Sequence, residues 1–292
     1  MREGLDLPEF GHLPFDEFVI KNWDPASLLS QTEQKRLLVK KWIALGKYGR
    51  NTYALATFEE PMPENIPPTI PQNLLSEDDR AIASMLTSTL WIRTWFGSTT
   101  PDTDPTSEQT QEADTAYSRL RKAVLQQGHE NYHVPCISPE FVFEDRRELS
   151  PETHEGRSPD ITRGVATGRP ASVPGYLVAA MMHCPELFWG VSEDEWRRFN
   201  AEEQQAEELE ESDRSQAALV LVADRKACEE GWVLGLAVNH RGQILPFRVR
   251  ERAKAAAQLA FDWQEGQPLA EIANDEAEDI EYYLGQRGDG WD

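Results

Sequence analysis

No apolar run of eighteen residues occurs anywhere in the 292-residue chain, so no segment reads as a membrane-spanning helix. The first residues, MREGLDLPEFGHLPFDEF, lack the basic start and apolar stretch of a secretory signal. Cysteine is scarce: Cys136, Cys184 and Cys228 are odd in number, widely spaced and without a C-x-x-C pair. A disulfide framework is therefore excluded, and a reducing, cytoplasmic setting is expected. Positive charge is also short, with 29 Lys and Arg against 51 Asp and Glu and a formal net charge of −22. A chain of that charge repels phosphate backbones and anionic lipid surfaces, so neither nucleic acid nor membrane is an expected partner. The densest basic stretch, KRLLVKKWIALGKYGR (35–50), reads as the polar face of a helix. There is no G-x-S-x-G for a serine hydrolase. RGVATGRP (163–170) lacks the lysine and following helix of a phosphate-binding loop.

What is present is enough apolar residue, 39 % with nine tryptophans, to build a core. The first thirty residues place Phe10, Leu13, Phe15, Phe18 and Val19 among prolines and read as an irregular arm over an apolar surface. Ser30 and Glu33 have capping-box spacing, and Leu38, Trp42 and Leu45 repeat at helical period, predicting a helix over 30–45 stopped by Gly46. TYALATF (52–58) alternates and reads as a strand. The proline-rich 59–73 reads as a stiff connector. Ser76 then caps a predicted second helix, through Phe96, with Ile82, Met85, Leu86, Leu90 and Trp95 on one face.

The polar GSTTPDTDPTSEQTQ has no apolar anchor, and residues 98–115 are taken as a linker between an N-terminal helical portion (1–97) and a C-terminal domain (116–292). A third helix runs to about Gln127 with Ala113, Ala116, Tyr117, Leu120 and Val124 in one stripe. Residues 144–174 read as a long polar loop, and GYLVAAMM (175–182) as a buried strand or a short helix. Ser192 and Glu195 open an acidic helix over 192–211. ALVLVAD (217–223) reads as an interior strand, and WVLGLAV and QILPFRV flank NHRG as a hairpin in which Pro246 requires an edge or a bulge. ERAKAAAQLAFDW closes the block as a helix, and the acidic tail from Glu271 to Glu281 reads as a further helix ending near Gly285. The expected class is α+β: helices at the N-terminus, then a small, mostly antiparallel sheet with packed helices. The letters LVLVAD, the hairpin after them and the RV before the last helix, preceded by PELFWGVSEDEW, resemble a small α/β domain family of unknown function found in bacteria and fungi. The resemblance covers residues 185–275 and implies a fold with no chemistry to carry over.

Three groups of residues are candidates for chemistry. His129-Glu130-Asn131-Tyr132-His133 spells H-E-x-x-H, which on one helix would hold zinc between His129 and His133 with Glu130 as the base. Gly128 and Pro135 frame it, however, and His129 stands about 180° from the apolar stripe of the preceding helix. A fraying helix end accounts for these letters more cheaply. Adjacent His183 and Cys184 suggest a thiol nucleophile, but neighbours on a strand point apart, so the base would have to be remote, His240 or His154; a packed cysteine is the plainer reading. Trp189, Trp196 and Trp232 would suit the wall of an aromatic-ligand site, though core packing explains tryptophans equally well. Zinc is the cofactor these letters would call for. Two functions follow: a soluble accessory protein that binds a protein partner or small molecule, or an enzyme built on His129/Glu130/His133 or on His183/Cys184. The accessory reading is preferred, because each chemical constellation has a simpler structural explanation.

Overall fold

A computed structural model describes residues 10–59, 69–71, 74, 89–97, 104–131, 142–144, 175–188, 191–201, 205–273, 281–285 and 288–291. Ten helices and a mixed six-stranded sheet among these residues make the fold α+β. The chain divides into two compact units that interleave in sequence: Met1–Leu86, Leu177–Ser215 and Asn239–Gly242 form unit 1, and Thr87–Tyr176, Gln216–Val238 and Gln243–Asp292 form unit 2. The expected division into consecutive portions, 1–97 and 116–292, differs from this partition. Residues 177–215 and a four-residue hairpin tip belong with the N-terminal helices.

Unit 1 is helical. Its first element is α1, Pro14–Asn22, where the sequence had suggested an irregular arm. Pro14 sits in the first turn, where the amide hydrogen it lacks has no helical acceptor. The side chain of Asp16 accepts from the Gly11 amide at 2.8 Å, and Glu186 accepts from that of Phe15 at 2.8 Å. The second helix, α2 (Gln31–Ala44), starts at the expected capping box: Glu33 N donates to Ser30 Oγ at 3.2 Å and Ser30 N to Glu33 at 2.9 Å. Gly46, at φ +68°, turns the chain into α3, Gly46–Glu59. TYALATF is thus helix rather than strand. Lys47, Arg50, Asn51 and Ala54 are buried at i, i+3, i+4 and i+7, a helical period that outweighs seven letters of alternation. Later in the chain come α5 (Gly175–Met181), whose buried run resolves as helix, then a 3₁₀ turn at Pro185–Leu187, α6 (Glu193–Phe199) and α7 (Gln205–Arg214). The expected acidic helix over 192–211 is two helices, because α6 stops at Asn200, a weak helix former.

The core of unit 1 is an aromatic cluster around Trp42. Phe15 and Phe18 lie 5.6 and 5.4 Å from it, and Tyr53 5.9 Å. Trp42 Nε1 donates to the Pro185 carbonyl at 2.8 Å. Beneath the cluster lies a charge: Arg50 is fully buried, with its guanidinium 5.3 Å from the Phe188 ring and 5.9 Å from Trp42. Its Nη1 donates to the carbonyls of Ile43 (3.2 Å), Trp42 (3.4 Å) and His240 (3.0 Å). Trp42 and Ile43 are in the last turn of α2, whose carbonyls form the negative end of its dipole. One side chain of α3 therefore closes α2 and fastens the hairpin tip.

Unit 2 holds the sheet, in the order β2-β1-β3-β4-β5-β6. These strands are β1 (Thr89–Arg93), β2 (Val142–Glu144), β3 (Ala218–Ala223), β4 (Trp232–Val238), β5 (Ile244–Arg252) and β6 (Glu281–Tyr283). β1 runs parallel to β2 and β3, β5 parallel to β6, and only β3–β4 and β4–β5 are antiparallel. The sheet is thus mixed where a mostly antiparallel one was expected. The difference lies at its margins, which pair segments distant in sequence. Where the expected second helix was to continue, residues 89–93 form β1, whose five residues are all buried and paired along β3. Of its predicted stripe, Ile82, Met85 and Leu86 lie outside the described residues. Pro246 falls at a register shift between β4 and β5, the bulge it was expected to require. The acidic tail, expected to be helical to Gly285, ends in strand β6.

Half of the expected linker is also ordered, since α4 spans Ser107–Asn131 with Ala113, Tyr117, Leu120 and Val124 buried. These residues pack with Leu219, Leu221, Val233 and Leu259 in one core. Gly235 lets α9 (Ala256–Gln264) approach β4: a Cβ there would stand 3.2 Å from the Leu259 side chain. Arg250, 2 % exposed, makes a bidentate pair with Asp224 (2.9 and 2.7 Å) and reaches Glu281 at 2.9 Å. Asp224 also caps α8 (Arg225–Glu230), so Arg250 fastens β6 and that helix to the sheet together. The short α10 (Leu269–Ile272) completes the unit.

Arg50→Met removes a donor shared by three carbonyls, those of Trp42, Ile43 and His240. It is expected to cost unit 1 about 3 kcal/mol in urea unfolding, and Arg50→Lys to recover little of it, because an ammonium lacks the planar fork.

Candidate ligand-binding cleft

A cavity of about 270 Å³ opens in unit 1 where α3 begins. Leu45, Gly46, Lys47, Tyr48, Gly49 and Thr52 supply one wall, Trp196 and Phe199 from α6 a second, and Leu209 and Ser212 from α7 a third. Arg241, from the hairpin tip, completes it. The break between α6 and α7 is what allows Phe199 and Leu209 both to face this space.

Each wall is held by a specific contact. Tyr48 and Phe199 stack with centroids 4.0 Å apart and planes 8° from parallel, and Trp196 continues the stack 5.8 Å from Phe199. The Tyr48 hydroxyl donates to Glu208 at 2.6 Å. Lys47 Nζ meets Glu195 at 3.0 Å; Glu195 is also the capping-box residue of α6, where Glu195 N donates to Ser192 Oγ at 3.3 Å. Arg241 Nε donates to Asp213 at 2.8 Å and its Nη1 to the Ala44 carbonyl at 3.2 Å. The tip itself is a turn in which Gly242 N donates to the Asn239 carbonyl at 2.9 Å, with Gly242 at φ +70°. NHRG thus has the turn chemistry expected of it.

The electrostatics of the cleft move its titratable groups away from neutral pH. Burial and the accepting Glu208 carboxylate push the Tyr48 phenol above its ordinary range, so it remains a neutral donor. Burial resists ionisation of Glu195, but Lys47 and the Ser192 amide outweigh it and hold the carboxyl below the usual range. His240, beside the cleft, has its pKa lowered to about 3 by burial and by the cations Arg50 and Lys47. Burial lowers Arg50 to about 9, which leaves it cationic at neutral pH. None of these shifts brings a group near neutral pH, where a general acid or base works best.

The residues singled out from sequence are placed differently. His129 and Glu130 lie in the last turn of α4, with side chains outside the described residues, as are His133 and the remote alternative His154. No group of three His, Cys, Asp or Glu suited to a metal occurs among the described residues. Cys184 is 1 % exposed and its thiol donates to the Ala180 carbonyl at 3.7 Å; His183 is half-buried just beyond α5. His240 faces Arg50 and Lys47 electrostatically. Trp189 is outside the described residues. Trp196 lines the cleft, whereas Trp232 is in unit 2, edge-on to Tyr283 at 5.1 Å with its Nε1 donating to Gly288. Sequence reasoning passed over Lys47, Tyr48, Phe199, Ser212 and Arg241, and weighed His240 only as a remote base for Cys184. The one local signal was GKYGR, where two glycines interrupt a basic and aromatic run directly after a helix stop.

No family model, curated protein or solved structure matches this chain.

His240 gives the cleft a pH signature. Its pKa is 6.5 ordinarily and about 3 in the folded chain, so the unfolded state binds the extra proton between those values. The stabilisation is full above pH 6.5 and is lost as pH falls towards 3. From pH 7 to 5 the wild type is expected to lose about 1–2 kcal/mol more in urea unfolding than His240→Gln does.

Proposed function

We propose that the chain is an accessory protein that binds a small molecule in the unit 1 cleft without transforming it. The observation that carries this reading is the cleft itself: a concave space with a stacked aromatic wall, three hydroxyl-bearing residues and two cations, in which Tyr48, Lys47 and Arg241 are each positioned by a named contact. Tyr48, Glu195 and His240 are each held in one protonation state at neutral pH, which suits recognition better than proton transfer. The burial of Cys184 against a carbonyl favours a packed thiol over a nucleophile. Cytoplasmic placement belongs to the same proposal. It is supported by Cys184 and Cys228 carrying thiols rather than a disulfide, and among the described residues no helix is long and apolar enough to cross a membrane. The net charge of −22 argues against nucleic acid and anionic lipid as partners. The resemblance over residues 185–275 bears on fold alone, and no activity is drawn from it.

Saturation-transfer NMR of the full chain with a set of small aromatic and aliphatic fragments tests the cleft. Hits are expected for the wild type and are expected to vanish in Ser212→Phe, which fills the space from α7. Hits that ignore the filled cleft would refute it.

A second reading has one observation in its favour. α4 continues through Asn131, so His129 and Glu130 are helical, beyond the end near Gln127 that their flanking residues suggested. Zinc hydrolysis through His129, Glu130 and His133 would give near-stoichiometric metal in protein purified without added zinc, lost in His129→Ala. Metal-free protein would end that reading.

A further inference from the structure

We propose that the ligand of the cleft is a small aromatic acid: a single ring bearing one carboxylate. The inference rests on the cleft being a ligand site and assigns the chemistry that site selects.

Size sets the first limit. A volume of about 270 Å³ falls just below the range of roughly 300–1,000 Å³ that holds drug-sized ligands, so the space suits a small ligand of about one ring. Shape sets the second. The Tyr48–Phe199 stack is within 8° of parallel and Trp196 lies 25° from Phe199, so the wall is a run of nearly aligned rings. Such a surface favours another flat ring in edge or offset contact.

Charge sets the third. Among the lining residues only Lys47 and Arg241 are charged, and both are cations. Their partners Glu195 and Asp213 are not lining residues. Arg241 is oriented by Asp213 at Nε and the Ala44 carbonyl at Nη1, and its Nη2 makes no hydrogen bond among the described residues. An anion meeting that nitrogen gains a charge-assisted bond to a donor already fixed in place. The positive end of α3 lies at the same wall and adds to the same preference. A cation in the same space would face Lys47 and Arg241. A neutral ring would forgo the charge-assisted bond.

The test is titration calorimetry of the full chain near pH 7 with benzoate, benzamide, benzylammonium and inorganic phosphate. Benzoate is expected to bind at least about tenfold more tightly than benzamide, the worth of one charge-assisted hydrogen bond, with benzylammonium and phosphate weaker than either. In Arg241→Gln the benzoate-to-benzamide ratio is expected to fall close to one. Lys47→Gln, read the same way, serves if circular dichroism shows that the Arg241 variant does not fold. Equal binding of benzamide, or tighter binding of benzylammonium, overturns the acid and leaves the cleft standing. Phosphate matching benzoate overturns the ring. If neither benzoate nor benzamide binds the wild type at millimolar concentration, the cleft reading falls as well.

Discussion

Arg50 is the interaction on which the rest of unit 1 depends. A fully buried guanidinium is costly to strip of water, and that cost is met only when its donors find acceptors held in place. Here the acceptors are the last carbonyls of α2 and the carbonyl of His240, with aromatic rings over the remaining faces. The geometry fixes α3 against the end of α2. It thereby fixes Lys47, Tyr48 and Thr52, which lie on either side of Arg50 along one helix and form a wall of the cleft. The same charge helps keep His240 neutral.

Unit 2 solves a similar problem with the opposite means. Arg250 is also buried, but it is answered by the carboxylates of Asp224 and Glu281, and its pKa rises where that of Arg50 falls. Carbonyl dipoles hold one guanidinium and full negative charges hold the other. The cations around the start of α3 are answered instead by separate carboxylates, Lys47 by Glu195 and Arg241 by Asp213.

What the sequence made legible is local. The capping boxes at Ser30–Glu33 and Ser192–Glu195, the three central strands, the NHRG turn and the bulge at Pro246 all depend on residues within a few positions of one another. What it hid is assembled from afar. β1 reads as the end of a helix because Leu90 and Trp95 fit a helical stripe, and its strand state comes from β3, more than a hundred residues later. Arg50 and Lys47 read as a solvated helix face, since nothing nearby in the chain announces the carbonyls and carboxylate that receive them. The cleft draws on residues 45–52, 196–212 and 241, three stretches without a shared motif. Trp196 was singled out as a tryptophan among others, whereas Arg241 carried no signal beyond its place in a turn.

The tip at Asn239–Gly242 has a consequence for how the protein is made. Arg50 finds its third acceptor, and Ala44 its donor Arg241, only in a segment about 190 residues further along. As the chain leaves the ribosome, α2 and α3 emerge long before those partners exist. Unit 1 must wait for the hairpin between β4 and β5 to close before its own interior is complete. A nascent chain halted short of residue 239 would expose a basic, aromatic surface that the finished protein keeps covered, and that interval is when a chaperone has most to guard.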